Sequence, residues 1–281
     1  MSTAVDDSQE PTDGERRDPV TKAFRMLAWM ADSDQDRWGV RELARGLEIA
    51  PSTAHRTISS LEAAGVLVAD PQTAGYRLSL EFLRLASKAT EDVPIRHAAI
   101  AHMRALVDTT NETAYLGAYD AARRKMMYVE TVPSSHPLRY VLPMHEWLPM
   151  HAGAGGLGIL PFLGNEEIED ILRRNALEPL TDRTITDVTE LNQELARIRR
   201  DGYVLSIGRL IPGAVGIAAP IFGSDDRVIG DIVLALPEVR LPAEIAESLG
   251  HDVMVCANRV TVDLGGRVRE SEASNRSRSR R

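Results

Sequence analysis

The sequence predicts an α+β chain of two folded parts: a small helical one, then a larger one in which helices flank an antiparallel sheet. Three observations predict this. Between Val20 and Lys88 apolar residues recur at three- and four-residue spacing, the mark of short amphipathic helices. From Pro94 onward, strand-like runs follow one another without a helix between each pair, which argues against a doubly wound parallel sheet. The 281 residues, 43% of them apolar, suffice for one small and one medium domain, each with its own core.

Taken in order, residues 1–17 are rich in Asp, Glu, Ser, Pro and Gly and read as a disordered leader. The first folded part is expected over 18–79. Phe24, Leu27 and Ala31 mark its first helix, and Val40, Leu43, Ala44 and Leu47 its second. Ala54, Ile58 and Leu61 mark the third, which stops at Gly65, a residue suited to the left-handed position beyond a helix end. Val66–Val68 and Tyr76–Leu78 flank a turn at Asp70-Pro71-Gln72-Thr73-Ala74-Gly75 and read as a hairpin. Three helices and a hairpin give the order of a winged helix-turn-helix.

A linker helix is expected within 80–93, broken at Pro94, with the second domain over 94–265. Its helices are expected over 95–109, 153–163, 166–174, 188–201 and 243–264, and its strands over 113–119, 126–132, 203–207, 215–222 and 228–236. Residues 266–281 form a low-complexity Ser/Arg tail, read as disordered.

Composition narrows the function classes. No stretch approaches eighteen consecutive apolar residues and the N-terminus is acidic and polar, so neither a membrane span nor a secretory signal is expected. Cys256 is the single cysteine, which fits a reducing cytoplasm. Val253, Val260 and Leu264 flank it at helical spacing, which makes it a packing residue and not a nucleophile. Because there is no nucleophile elbow, P-loop, HExxH helix or dinucleotide fingerprint, no catalytic residue and no cofactor are assigned. The net charge of −8 argues against indiscriminate polyanion binding and leaves room for a local basic face.

That face is expected on the third helix. With Ala54, Ile58 and Leu61 turned to the core, the 100° step sends Ser52, Arg56 and Ser59 to the opposite side, flanked by Thr53 and His55. These are all donors and none is acidic. Hydroxyls near a helix start suit phosphates, and Arg56 has the reach and fork to read a guanine edge. Arg77 in the hairpin is a candidate backbone contact.

In the second domain Ala152-Gly153-Ala154-Gly155-Gly156 opens a helix after a proline-containing apolar segment. Small residues there permit either close packing on the sheet or close approach of a ligand, and free N–H groups at a helix start favour a carboxylate. Arg209, in the loop after the Gly202-Tyr203 strand, is expected to be a solvated loop residue. His136, His145 and His151 fall close in sequence without a strong zinc spacing, so a metal-responsive regulator is the alternative and no metal ligand is assigned.

The run Leu43-Ala44-Arg45-Gly46-Leu47-Glu48-Ile49-Ala50-Pro51-Ser52-Thr53-Ala54-His55-Arg56, followed by Leu61-Glu62-Ala63-Ala64-Gly65, resembles the IclR family of transcriptional regulators. So do Leu148-Pro149-Met150-His151-Ala152, Ile198-Arg199-Arg200-Asp201-Gly202-Tyr203 and Gly216-Ile217-Ala218-Ala219-Pro220-Ile221-Phe222. The blocks lie in register over roughly 18–265. Glu48 departs from the pattern, standing where the family usually has glycine.

The resemblance implies a winged helix joined by a linker helix to a GAF-like effector domain. It also implies operator DNA and a small-molecule effector as partners, and self-association through the DNA-binding halves into dimers or tetramers. Family effectors are small organic acids, and position by position the implied contacts are Ala154, Gly155, Ser206, Ala214, Gly216, Val233 and Ala235. Apolar replacements at several of these positions predict a wide, dry pocket for a bulkier acid, such as an aromatic one, with Met144, Trp147 and Met150 as added contacts. An architectural DNA binder with a non-functional pocket is the remaining alternative.

Overall fold

The computed structural model describes residues 18–269 apart from 34, 74, 92 and 175. The expected leader and residues 270–281 of the tail lie outside these. The chain divides into two compact units, the second starting at Val93.

The first unit is built from α1 (Pro19–Ala31), α2 (Val40–Gly46), α3 (Pro51–Ala63), a hairpin of β1 (Leu67–Ala69) and β2 (Tyr76–Leu78), and α4 (Leu80–Glu91). The starts of these helices follow local chemistry. Asp18 caps α1 by accepting the Thr21 N–H at 2.8 Å, and prolines occupy the first turns of α1 and α3. Gly65, at φ 74, ends α3 with the Val66 N–H returning to the Leu61 carbonyl at 2.9 Å. In the hairpin turn Asp70 accepts from the Gln72 N–H and the Thr73 hydroxyl and pairs with Arg37 at 3.1 Å, which together hold its carboxyl below the usual range.

Met26, Met30, Trp38, Leu43, Leu47, Ala54, Ile58, Leu61 and Leu67 form the core of this unit. The helix that Phe24, Leu27 and Ala31 mark forms, but a different stripe of it meets the core. Phe24 and Ala31 are exposed, and α1 turns Met26 and Met30 inward. The helix has two apolar stripes, so its period alone does not say which one meets the core.

The second unit is a five-stranded antiparallel sheet in the order β4-β3-β7-β6-β5. Its strands are β3 (Thr113–Asp120), β4 (Lys125–Val132), β5 (Val204–Ile207), β6 (Ala214–Phe222) and β7 (Val228–Pro237). Alternation sends Val215, Ile217, Ala219 and Ile221 of β6, with Ile232, Leu234 and Leu236 of β7, to one face. There they meet α5 (Pro94–Thr110) and α9 (Ala243–Asp263), including Cys256, whose thiol burial pushes up to about 12. The other face packs under α6 (Gly153–Ile159), α7 (Asn165–Arg174) and α8 (Val188–Asp201).

The helix expected over 153–163 is shorter than the sequence suggests. It ends at Ile159 and passes into a 3-10 turn over Leu160–Phe162, because Pro161 lacks the N–H that would continue the α-helix. Residues 267 and 269, expected in a disordered tail, lie against the β6–β7 hairpin. Arg269 donates to the Asp226 carbonyl and its guanidinium sits 4.4 Å from the centre of the Phe222 ring.

Candidate functional site

On the first unit, α3 presents Ser52, His55, Arg56 and Ser59 to solvent with Thr53 half-buried, while Ala54, Ile58 and Leu61 are buried. Neither Arg56 nor His55 has a side-chain hydrogen bond or ion pair among the described residues, so both are free to meet an outside partner. Arg56 also borders an apolar hollow between α1, α3 and α4, lined by Val20, Phe24, Leu27, Phe82 and Leu85, with a volume of about 660 Å³. Arg77 is exposed on β2. The α3 set of Ser52, Thr53, His55, Arg56 and Ser59 is thus rich in donors and free of acidic side chains, the chemistry that phosphates and base edges require. Glu48 occupies the turn before α3 at φ 55, a left-handed conformation.

On the second unit, strand register assembles a cavity. Ser206 of β5 pairs with Gly216 of β6, which pairs with Ala235 of β7, so three residues far apart in sequence form one cross-strand row. Val233 lies one step along the same face, opposite Ala218 and Tyr115. Above this row α6 brings Ala154, whose methyl crowds Gly216 so closely that a side chain there would meet it at 2.6 Å. Ala154, Ser206, Ala214, Gly216, Val233 and Ala235 all line the cavity. Gly155 does not: it faces the Tyr128 hydroxyl and Met126, where an added Cβ would lie 2.7 Å from that oxygen.

The wide, dry pocket expected from the sequence is not what the structure has. The cavity measures about 30 Å³, room for a water molecule or two, because Tyr128, Tyr140, Leu142, Leu210 and Ile211 fill it. These five carry no sequence signal, as they come from a strand and from loops whose course has no period. Tyr140 and Leu142 belong to a strap, residues 133–152, that runs along the edge of β4 through bridges of Tyr128 with Met144 and of Met126 with Leu148. The strap is tied down by the Tyr115 hydroxyl and by Tyr140 Oη–H, which donates to the Pro212 carbonyl at 3.0 Å. Met144, Trp147 and Met150 lie off the cavity. Met150 is buried in the core, and the Trp147 ring lies 5.4 Å from the Arg123 guanidinium.

Arg209, expected outside, lines the cavity and is 22% exposed, held by Glu194 of α8 at 2.6 Å. With seven residues, α6 is barely two turns, so its start adds little charge. The three histidines do not converge. His136 approaches Asn111 at 3.3 Å, and His151 approaches the Glu178 carbonyl at 3.1 Å. Among the described residues no group of three or more His, Cys, Asp or Glu could hold a metal, and no helix is long and apolar enough to cross a membrane.

Comparison with known proteins agrees with both halves. KdgR, an HTH-type transcriptional regulator of Dickeya chrysanthemi, is 28% identical over 246 residues, covering 88% of this chain and 79% of its own. A crystal structure of an IclR-type regulator from a Silicibacter species superposes with a TM-score of 0.78 at 26% identity, covering 90% of this chain and 98% of its own. An IclR homolog from Microbacterium hydrocarbonoxydans, crystallised with 4-hydroxybenzoate, shares the fold at 23% identity and a TM-score of 0.76, covering 88% and 99%. The family model of the IclR helix-turn-helix domain matches residues 19–71, and that of the bacterial transcriptional regulator IclR C-terminal domain matches 87–262. The chain therefore belongs to the IclR family of transcriptional regulators, with a helix-turn-helix DNA-binding domain and a C-terminal effector domain.

Proposed function

We propose that this protein is a cytoplasmic regulator that binds two-fold operator DNA as a dimer or tetramer and changes its grip when a small carboxylic acid enters the second unit. It acts by binding alone, without cofactor or turnover. In this reading α3 enters the major groove with Ser52, Thr53, His55, Arg56 and Ser59, and Arg77 holds the backbone beside it. A second copy covers the exposed stripe of Val20 and Phe24 with Leu85.

One observation carries the effector half: six separate positions on α6, β5, β6 and β7 converge on one mostly apolar cavity. Its lining of two tyrosines and several aliphatic side chains suits an acid with an aromatic or branched body, and the Microbacterium relative is crystallised with such an acid. Entry requires the strap to move, since about 30 Å³ does not hold a benzene ring.

The test is a gel shift on the DNA upstream of the protein's own gene, with wild type and Arg56→Ala, with and without a panel of carboxylic acids. Specific binding that Arg56→Ala abolishes and one acid alters is the expected result. No specific shift under any condition would overturn the DNA half. The small cavity favours one second reading, an architectural DNA binder with a non-functional pocket; operator binding that no acid alters would favour it.

A further inference from the structure

Among the described residues that line the cavity, Arg209 is the only one with a charged side chain. Its main chain is fixed: the Thr184 hydroxyl donates to its carbonyl at 2.7 Å and the Thr181 hydroxyl at 3.4 Å. Among the described residues its side chain makes one hydrogen bond, Nη1–H to Glu194 Oε1 at 2.6 Å.

Glu194 does not depend on that contact. Arg197, one turn along α8, grips both oxygens of the Glu194 carboxylate, Nε to Oε2 and Nη2 to Oε1, each at 2.8 Å. Burial alone would raise the Glu194 carboxyl, but hydrogen bonds and charge from Arg197 and Arg209 hold it down at about 2. Glu194 therefore stays ionised and paired when Arg209 turns away. Breaking most buried ion pairs strands a charge; this one has a spare partner.

The other polar groups on the wall are neutral, the hydroxyls of Tyr128, Tyr140 and Ser206. A guanidinium carried by a residue of an otherwise uncharged wall disfavours cations and gains from a carboxylate, whose two oxygens match its fork. We propose that Arg209 is the residue that recognises the effector's charge, exchanging Glu194 for a ligand carboxylate, so that the cavity selects monoanions over neutral molecules of the same shape. This rests on the cavity being the effector site. In the exchange α8 loses one of the two arginines on Glu194, which ties occupancy of the cavity to the charge balance of that helix.

The experiment is calorimetry on the full chain with carboxylates from acetate through benzoate and 4-hydroxybenzoate to naphthoate, each beside its amide. Wild type is compared with Arg209→Gln, Arg209→Lys and the cavity-filling Ala235→Leu, all checked for an unchanged melting profile. A carboxylate should bind about 10- to 100-fold more tightly than its amide, the range for a charge-assisted hydrogen bond. Arg209→Gln should erase that preference while leaving the amide's affinity within about threefold, and Arg209→Lys should restore part of it. Carboxylate binding that Ala235→Leu abolishes but Arg209→Gln leaves unchanged would overturn the role of Arg209 and spare the site. Binding that survives Ala235→Leu, or no binding across the whole series, would overturn the site itself and Arg209 with it.

Discussion

Asp231 of β7 packs its carboxylate against Gly158 of α6, so closely that a Cβ on the glycine would lie 2.6 Å from Asp231 Oδ2. Asp231 is fully buried and neither oxygen has a hydrogen-bond partner among the described residues. Burial pushes its carboxyl well above the ordinary range. A carboxyl raised on folding adds stability below its unfolded value, about 3.9, and that contribution is lost as pH rises towards and through the folded value. Asp231→Asn should therefore melt close to wild type near pH 4 and several degrees above it near pH 8. Melting curves at the two pH values check this; an equal shift at both would show that ionisation of Asp231 plays no part.

The same contact predicts a coupled pair. Gly158→Ala places a methyl against Asp231 and 3.0 Å from the Ala218 Cβ, an overpacking worth about 1–3 kcal/mol of stability. Shortening Asp231 to Ala removes the nearer clash, so the double variant should recover most of that loss. Urea unfolding of the four species gives the interaction term, and simple additivity would mean that α6 shifts away from the sheet instead.

Glu48 stands at φ 55 in the turn before α3, a conformation costing an L-residue about 1–2 kcal/mol. Glycine avoids that cost but adds freedom to the unfolded chain, about 0.5–1 kcal/mol. Glu48→Gly should thus stabilise the first unit by roughly 0.5–1 kcal/mol. Thermal unfolding of wild type and variant measures it, and a loss of stability would mean that the Glu48 side chain contributes more than its backbone costs.

Where period and punctuation agree, the fold is legible in the sequence. Gly65 stops α3, Gly223–Arg227 turns β6 into β7, and alternation along β6 and β7 separates the two faces of the sheet. Phe24 misleads because α1 is apolar on two sides, and Pro161 shortens a helix that apolar spacing alone would extend. The cavity is legible only in part. Ser206, Gly216 and Ala235 meet through strand register, whereas Tyr140 and Leu142 arrive on a strap with no repeating pattern. Tyr128 looks like any core residue of an alternating strand. Arg209 is a residue of the cavity lining whose guanidinium is held by Glu194, fifteen residues earlier on another element. No local rule exposes such a contact.

Arg56 and Arg77 should separate two kinds of DNA contact. A base-edge arginine discriminates sequence by about 1–3 kcal/mol, while a phosphate contact weakens all sequences alike. Arg77→Ala should lower affinity for operator and unrelated DNA by the same factor and reduce the slope of log K against log salt by about 1. Arg56→Ala should close the gap between operator and unrelated DNA. Titrations at several salt concentrations distinguish them, and a sequence-selective loss in Arg77→Ala would place the hairpin on the bases.

Self-association is expected to run through the outer stripe of α1. Phe24 is 69% exposed and Val20 63%, and with Leu27, Phe82 and Leu85 they line the apolar hollow between α1, α3 and α4. Large apolar side chains grouped on a soluble surface mark an interface. A charge placed there costs little in the monomer, where it stays in water, and much in a dimer, where it would be buried. Phe24→Glu should therefore leave the circular dichroism of the full chain unchanged while shifting it towards monomer in sedimentation velocity. Because two linked half-sites gain from a linked pair of readers, the variant should lose far more affinity for a two-fold operator than for a single half-site. An unchanged sedimentation profile would put the interface elsewhere, and the exposed surface of α9 would be the next to test.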